Sequence, residues 1–439
     1  MLRIVRFAGV ALCLIALVLV TSHVLRTGQA RELARAGLSS GSLAAADEAV
    51  RLSPGDPEAY RARAATLVRR NEFSLAVGDL RRAIALRPRD YRLWIELGTA
   101  LDKQGDTESA LMALSEAQML APTYVAPHWE AGLLLNKLGH QSEALKEFRS
   151  ASLVQPSLLP KVIDFAWETF AGNAELIQQA LEPKTNFERL SLSLFFIRNE
   201  RPAAALSLIR SINNLTSHDR KQLLGEFLRA EQFNEAHEFW ADGLGNSRES
   251  RTEGVIFDGG FERAKLADEI GFAWRLNRIS GIQVTLDRSG KRALNNSLRI
   301  DWLGDSNPSD EVVSQLVLVA PNTTYQLSFA ARAENLVTGG APMITVTSAH
   351  RANPESVAAS AKLPLGTTGW QSDTLEFRTT DSTRAIRLAL KRANCAEQLC
   401  PIFGSLWLDD FSLMATSEVA PLKARSSKLQ TPIRVAQRL

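Results

Sequence analysis

The stretch IFDGGFERA, at residues 256–264, combines residue types that could bind a metal ion or another ligand. Asp258 and Glu262 carry carboxylates, and the two glycines between them allow a close approach of the backbone. Carboxylate oxygens are preferred ligands of hard cations such as calcium. The same residues also suit the start of a β-domain, with Phe261 in its core. The stretch therefore leaves two hypotheses open, a binding site and a structural clasp.

The sequence lacks the motifs of the common enzyme classes. It has no phosphate-binding glycine loop, no nucleophile elbow and no zinc motif. His237 and Glu238 in HEFWAD lack the second histidine that a His-Glu-x-x-His zinc site requires. We therefore predict a protein that is not an enzyme.

The N-terminus carries an apolar segment. Arg3 and Arg6 precede an apolar run at 7–20, which residues 21–25 extend before Arg26. This approaches the roughly 20 residues that a membrane-spanning helix needs, and the leading positive charge predicts a cytoplasmic N-terminus. We predict an uncleaved, single-pass anchor at residues 1–26 in the inner (cytoplasmic) membrane, with the bulk of the chain periplasmic. A cleaved signal peptide is the alternative.

Two cysteines lie close together in NCAEQLCP, with no histidine or second cysteine pair beside them for zinc. In an oxidising compartment we predict a local disulfide between Cys395 and Cys400 that closes a loop.

The net charge of the 439 residues is only +3, which gives no sign of nucleic-acid binding, and we predict no nucleic-acid partner. Much of the basic excess lies in residues 415–439, which we expect to be a disordered tail. Contact of this tail with an anionic polymer or lipid head groups is the alternative.

The helical half contains three blocks of 34 residues that align without a gap and begin at Pro57, Tyr91 and Val125. Equivalent positions hold small residues that allow close helix approach, large residues that fill the space between, and a proline that ends each unit. They are Tyr60, Ala64, Leu67, Ala76, Leu80, Ala83 and Pro88 in the first block, Trp94, Gly98, Leu101, Ala110, Leu114, Ala117 and Pro122 in the second, and His128, Gly132, Leu135, Ala144, Phe148, Ala151 and Pro156 in the third.

This array resembles the tetratricopeptide repeat family. The resemblance implies an all-α solenoid with a groove for a peptide or a partner helix; a mere spacer is the alternative. We assign residues 27–157 to the repeats, 158–243 to divergent helical repeats and 244–254 to a polar linker.

From residue 255 onward the apolar residues alternate with polar ones, as in Ile282, Val284 and Leu286. Several such runs separated by turn signals predict an all-β sandwich at residues 255–414. The stretches DGGFE, LVLVAPNTTYQLSFAARAE, TTGWQSDTLEF and GSLWLDDFSL resemble the carbohydrate-binding modules of the four/nine type, which have a galactose-binding-like jelly-roll fold.

The resemblance implies a structural calcium ion where the first and last motifs meet. Glu262, Asp409 and Asp410 are the positions that would supply its carboxylates. The alternative is that these residues are polar side chains of edge strands without an ion. For glycan binding, Trp274 and Trp302 are the candidate aromatic rings, although most aromatics occupy core positions.

Together these features predict a multidomain chain with one transmembrane helix, a helical solenoid and a jelly roll. We predict a non-enzymatic, membrane-anchored periplasmic scaffold or adaptor accessory to envelope polysaccharide assembly, of exopolysaccharide or O-antigen type. The repeats would bind a protein partner and the jelly roll a glycan. The alternative is a pure protein-interaction scaffold whose jelly roll does not bind sugar.

Overall fold

The computed structural model describes the backbone of residues 2–243, 254–263, 271–289, 292, 296–350, 354–395 and 400–416, and side chains from residue 14 onward. The chain forms two compact units, Met1–Leu192 and Ser193–Leu439. Most of the predicted linker at 244–254 and of the predicted tail at 415–439 lies outside the described residues.

The first unit is helical. The first residues of α3, α5 and α7 are the three residues at which the 34-residue blocks begin, so the predicted repeat units are confirmed as helical hairpins. The helices are α1 (Leu2–Ser40), α2 (Leu43–Leu52), α3 (Pro57–Arg69), α4 (Phe73–Leu86), α5 (Tyr91–Gln104), α6 (Thr107–Leu120), α7 (Val125–Lys137), α8 (Gln141–Val154), α9 (Leu159–Thr169), α10 (Ala174–Leu181) and α11 (Asn186–Arg198), which continues into the second unit.

The apolar run predicted as a membrane anchor lies in α1. Among the described residues, however, no helix has a stretch long and apolar enough to cross a membrane. Within the residues whose side chains the structure describes, the apolar stretch of α1 covers only 14–20 and is followed by Thr21, Ser22 and His23 and then by Arg26. This finding overturns the predicted localisation as a single-pass inner-membrane protein with a periplasmic bulk.

Close helix contact within each repeat depends on the small residues of the aligned columns. A Cβ at Gly132 of α7 would lie 2.6 Å from Phe148 Cε1 of α8, whereas a Cβ at Gly78 of α4 would meet no atom within 4 Å. Ala76, Ala110 and Ala144, which share one column, are fully buried. The small residues at the aligned positions are therefore needed for close packing of the two helices in each repeat.

We expect Gly78→Ala to stabilise the first unit by about 1 kcal/mol, because alanine is the better helix former and nothing obstructs its methyl group. Gly132→Ala should instead destabilise it by about 1–2 kcal/mol, because the Phe148 ring must move. Urea unfolding followed by far-UV circular dichroism measures both changes. Equal stabilisation by the two variants would contradict this account of the packing.

The second unit combines helices with two antiparallel β-sheets. Its remaining helices are α12 (Pro202–Arg210), α13 (Ser217–Arg229) and α14 (Phe233–Gly243). Its strands are β1 (Arg275–Leu276), β2 (Ile282–Asp287), β3 (Ser297–Asp305), β4 (Val313–Leu318), β5 (Thr324–Thr338), β6 (Pro342–Ser348), β7 (Ser356–Ala359), β8 (Gln371–Arg378), β9 (Ala385–Arg392) and β10 (Pro401–Ala415).

The strands form two five-stranded sheets, a first sheet in the order β1-β4-β9-β6-β7 and a second in the order β2-β3-β10-β5-β8. If β3 to β10 are counted as eight strands, the orders become 2-7-4-5 and 1-8-3-6, which is the arrangement of a jelly roll. The predicted order of a helical solenoid followed by a β-sandwich is confirmed. The core between the sheets includes Ile300, Leu327, Ile386 and Leu408.

Within the second unit, α14 lies against the first sheet. Every residue of β4 is buried, because one side of the strand faces the core and the other is covered. The Trp240 ring of α14 lies 5.0 Å from that of Phe257 and 5.6 Å from that of Phe272. Burial in this contact lowers the pKa of His237 to about 4. The first sheet is therefore covered in this region.

Candidate functional site

The stretch at residues 256–263 forms turns and bends, not a strand, and is held against the last strand of the sandwich. The Phe411 N–H donates to the Gly259 carbonyl at 2.9 Å, and the Trp274 indole N–H donates to the Asp258 carbonyl at 3.0 Å. The fully buried Phe261 ring lies 5.2 Å from the Trp274 ring and 6.0 Å from the Phe411 ring. These contacts give the stretch the geometry of a structural clasp.

Asp409 is the most unusual carboxylate near the clasp, since it is only 1% exposed. Its Oδ1 accepts from the Asp410 N–H at 2.8 Å, but its Oδ2 has no hydrogen-bond partner. Burial raises the pKa of Asp409 to about 6, and the negative charges of Asp410 and Glu262 contribute to the rise. The backbone N–H groups of Asp410 and Arg292 lower this pKa, although the Arg292 group is not placed to hydrogen-bond Oδ2.

The three predicted calcium ligands are only partly brought together. Glu262 Oε1 accepts from the Asn296 N–H at 3.2 Å. The negative charge of Glu262 contributes to the raised pKa of Asp409. Asp410 instead directs Oδ2 toward Arg292, whose Nε lies 3.3 Å away. Among the described residues, no three or more His, Cys, Asp or Glu side chains are arranged to hold a metal ion. Within the described part of the chain Asp409 Oδ2 has no hydrogen-bond partner, and calcium binding stays a prediction.

The two tryptophans predicted as ligand-binding residues lie in the sandwich core. Trp274 is 4% exposed and Trp302 is 2% exposed. Neither ring offers a face to a sugar in this structure, so the two candidate rings for glycan binding are core residues. The Trp302 indole N–H has no hydrogen-bond partner in this buried position.

The structure joins Cys395 and Cys400 by a disulfide bond. The pair lies beside the buried Arg392, whose guanidinium donates to the Cys400 carbonyl at 2.6 Å. The bond and this arginine hold the start of β10 next to the end of β9, which is a structural role.

The outer face of the second sheet carries a row of exposed apolar side chains that the sequence analysis missed. Phe403 of β10 is in register with Leu303 of β3 on one side and with Val337 of β5 on the other. Their side chains are 53%, 69% and 67% exposed, respectively. We call Leu303, Phe403 and Val337 the apolar row. Its members follow the buried Trp302, Ile402 and Leu336, so pairs of adjacent apolar residues within a strand were the signal that could have revealed it.

Next to the apolar row, Trp407 lies on the same outer face, because it alternates with the core residues Leu406 and Leu408. Guanidinium groups of Arg299 and Arg332 stack on its ring at 5.0 and 4.5 Å from the centroid. The ring is consequently only 2% exposed. The largest aromatic ring on this face is therefore closed to a ligand.

In the first unit, the repeat helices line a small groove of about 220 Å³. An ion pair between Lys137 Nζ and Asp102 Oδ1, at 2.8 Å, joins α7 to α5 beside it. Burial raises the pKa of Glu130 in the same groove. The lining residues are Gly98, Thr99, Asp102, Leu114, Glu130, Leu133, Leu134 and Lys137.

Comparisons of the sequence with protein-family models and with curated proteins give no match. Comparison of the fold with solved structures gives partial likenesses. MamA from Desulfovibrio magneticus RS-1 is 19% identical, with 36% of this chain and 94% of that chain covered and a TM-score of 0.30. The pilF protein of Pseudomonas aeruginosa is 19% identical, with coverages of 50% and 99% and a TM-score of 0.32.

A structure described as a CBM4 is 17% identical, with 37% of this chain and 99% of that chain covered and a TM-score of 0.28. All three TM-scores lie far below 0.5. These likenesses therefore carry no argument about what this chain binds, and the geometry of the chain itself has to support any function.

Proposed function

We propose that this protein is a non-enzymatic adaptor that binds protein partners through its helical repeats and through the outer face of the second sheet. The observation that carries the proposal is the apolar row, in which three large side chains on neighbouring strands are more than half exposed. Exposed apolar patches with polar surroundings are typical of protein-interaction sites.

The same face fits a sugar less well. Sugar rings stack on exposed aromatic faces, whereas two members of the apolar row are aliphatic and Trp407 is covered by arginines. Among the described residues of this face, Phe403 is the aromatic residue that is more than half exposed. The geometry therefore favours the protein-interaction alternative over the predicted glycan role, and the predicted part in envelope polysaccharide assembly stays a prediction.

Replacing Leu303, Val337 and Phe403 together by serine in the full chain tests the proposal. We expect the triple variant to recover partner proteins from a lysate about tenfold less efficiently than the original protein, because loss of a central apolar cluster removes most of the binding energy. Quantitative mass spectrometry of proteins captured on the immobilised chain gives the recovery.

The matched control is Met414→Ser, because Met414 is 59% exposed on the same strand as Phe403 but lies outside the apolar row. It should leave the recovery unchanged. Equal recovery by the triple variant and the original protein would contradict the assignment of this face. Retention of the original chain on a polysaccharide column, lost in the triple variant, would assign the face to a glycan instead.

A further inference from the structure

Besides the apolar row of the second unit, the first unit has a surface pocket that is lined by three arginines. A shallow pocket of about 460 Å³ lies where α4 leads into α5. We call it the arginine pocket, and three arginines, two tyrosines and one aspartate line it, namely Arg87, Arg89, Asp90, Tyr91, Arg92 and Tyr124.

The single carboxylate of the arginine pocket is already engaged. Asp90 accepts from Arg92 through both oxygens, at 3.0 and 3.1 Å, and the hydrogen bonds from Arg92 lower its pKa. Arg87 Nη1 donates to Glu58 at 2.8 Å and to Asp90 at 3.4 Å. Arg89 is exposed, and no ion pair links it to a carboxylate within the described part of the chain. The pocket therefore keeps unused positive charge.

The repeat fold does not require these arginines. The chain supplies its own comparison, because the equivalent positions 34 residues earlier and later form the same kind of junction between hairpins without them. Those positions hold Ser53 and Ala121 in place of Arg87, Gly55 and Thr123 in place of Arg89, and Glu58 and Ala126 in place of Arg92.

The tyrosines define the shape of the ligand. The Tyr91 and Tyr124 rings have centroids 5.1 Å apart and are tilted by 43°, and Tyr124 is 54% exposed. The two rings are in contact with each other, and the exposed Tyr124 ring can pack against an apolar side chain, but tilted rings do not form the flat platform on which a sugar ring stacks. Tyrosine and arginine are also the residue types enriched at the energetic centres of protein interfaces.

We infer that the arginine pocket binds an acidic peptide segment of a protein partner. Its carboxylates pair with Arg89 and with the remaining guanidinium donors of Arg92, and an apolar side chain of the segment packs against the exposed ring of Tyr124. The inference rests on the proposed function, since it names the chemistry of the partner that the repeats hold.

Fluorescence anisotropy of the full chain with a labelled peptide of glutamates around one phenylalanine tests the inference. We expect Arg89→Glu to weaken binding about tenfold or more, because it replaces attraction by repulsion. Tyr124→Ser should weaken it about fivefold. Arg81→Glu, a charge reversal at an exposed α4 position that does not line the pocket, should change it less than about twofold, because salt weakens the interaction of exposed charges that make no direct contact.

Three results would overturn the inference: equal weakening by Arg89→Glu and Arg81→Glu, no loss when glutamines replace the glutamates, or displacement of the peptide by an oligogalacturonate at equal concentration. The outcome is separable from that of the proposed function. If Arg89→Glu still captures partner proteins, the proposed adaptor function holds but does not use the arginine pocket. If the original chain captures no partner protein, the proposed adaptor function itself is contradicted.

Discussion

Replacement of Gly259 by alanine should destabilise the sandwich by about 3 kcal/mol or more. A Cβ at position 259 would lie 2.0 Å from the Phe411 carbonyl oxygen, a backbone atom that cannot rotate away. Relief of the clash would require the clasp to separate from β10. That movement would break the hydrogen bond from the Phe411 N–H to the Gly259 carbonyl.

The adjacent glycine provides the matched control. A Cβ at Gly260 would have its nearest neighbours, Glu262 Cγ and Asp409 Oδ1, at the ordinary contact distances of 3.8 and 3.9 Å. We therefore expect Gly260→Ala to change stability by less than about 1 kcal/mol. Hydrogen exchange of β3 and β10, followed by mass spectrometry, reports the sandwich specifically. Similar exchange in the two variants would show that the clasp does not hold the sheet.

The second large effect concerns the pH dependence caused by Asp409. Its folded-state pKa of about 6 lies above the ordinary value of 3.8, so the folded state binds the proton more tightly than the unfolded state. Ionised Asp409 therefore destabilises the fold, with no penalty below about pH 4, a growing penalty up to about pH 6, and a constant penalty above it. Two units of pKa correspond to about 3 kcal/mol.

Asp409→Asn removes this titration. Measured in chelator, the variant should gain stability relative to the original protein as pH rises from about 4 to 6, by up to about 3 kcal/mol. Guanidinium unfolding at a series of pH values gives the difference, which cancels the contributions of the other titrating groups. Asp381→Asn, at an exposed position, is the control and should show no such rise. A difference that does not change with pH would mean that Asp409 is not held as a buried acid.

The same pair of proteins tests the calcium prediction. A cation next to Asp409 Oδ2 would offset the cost of the ionised carboxylate, so calcium at neutral pH should stabilise the original protein and leave Asp409→Asn unaffected. Equal stabilisation of the two proteins by calcium would show that Asp409 is not a calcium ligand.

The repeats were predictable from the sequence because the residue size at each aligned position is set by how the two helices of a repeat pack against each other. A small residue at Gly132 and a large one at Phe148 are two sides of one contact, and the contact recurs every 34 residues. The prediction of a membrane span in α1 was wrong, because the apolar stretch among the described side chains ends at Val20 and Thr21, Ser22 and His23 follow it.

The apolar row was harder to predict. Strand alternation assigns Trp302 and Leu303 to opposite faces, but it does not say which face is the core. That choice depends on which strands become neighbours, and the register that aligns Leu303, Phe403 and Val337 joins segments far apart in the chain. The burial of Trp407 is equally non-local, because Arg299 and Arg332 come from two different strands.

The contact between α14 and the first sheet limits how this protein can be divided. The polar, glycine-bounded sequence at 244–254 suggests a point at which the chain could be divided into a helical fragment and a jelly-roll fragment. Here, however, β4 is buried on both faces, and Phe257 and Phe272 pack against Trp240. A fragment that begins at residue 255 would expose this apolar surface to water. We therefore expect that a stable fragment containing the sandwich has to include α14.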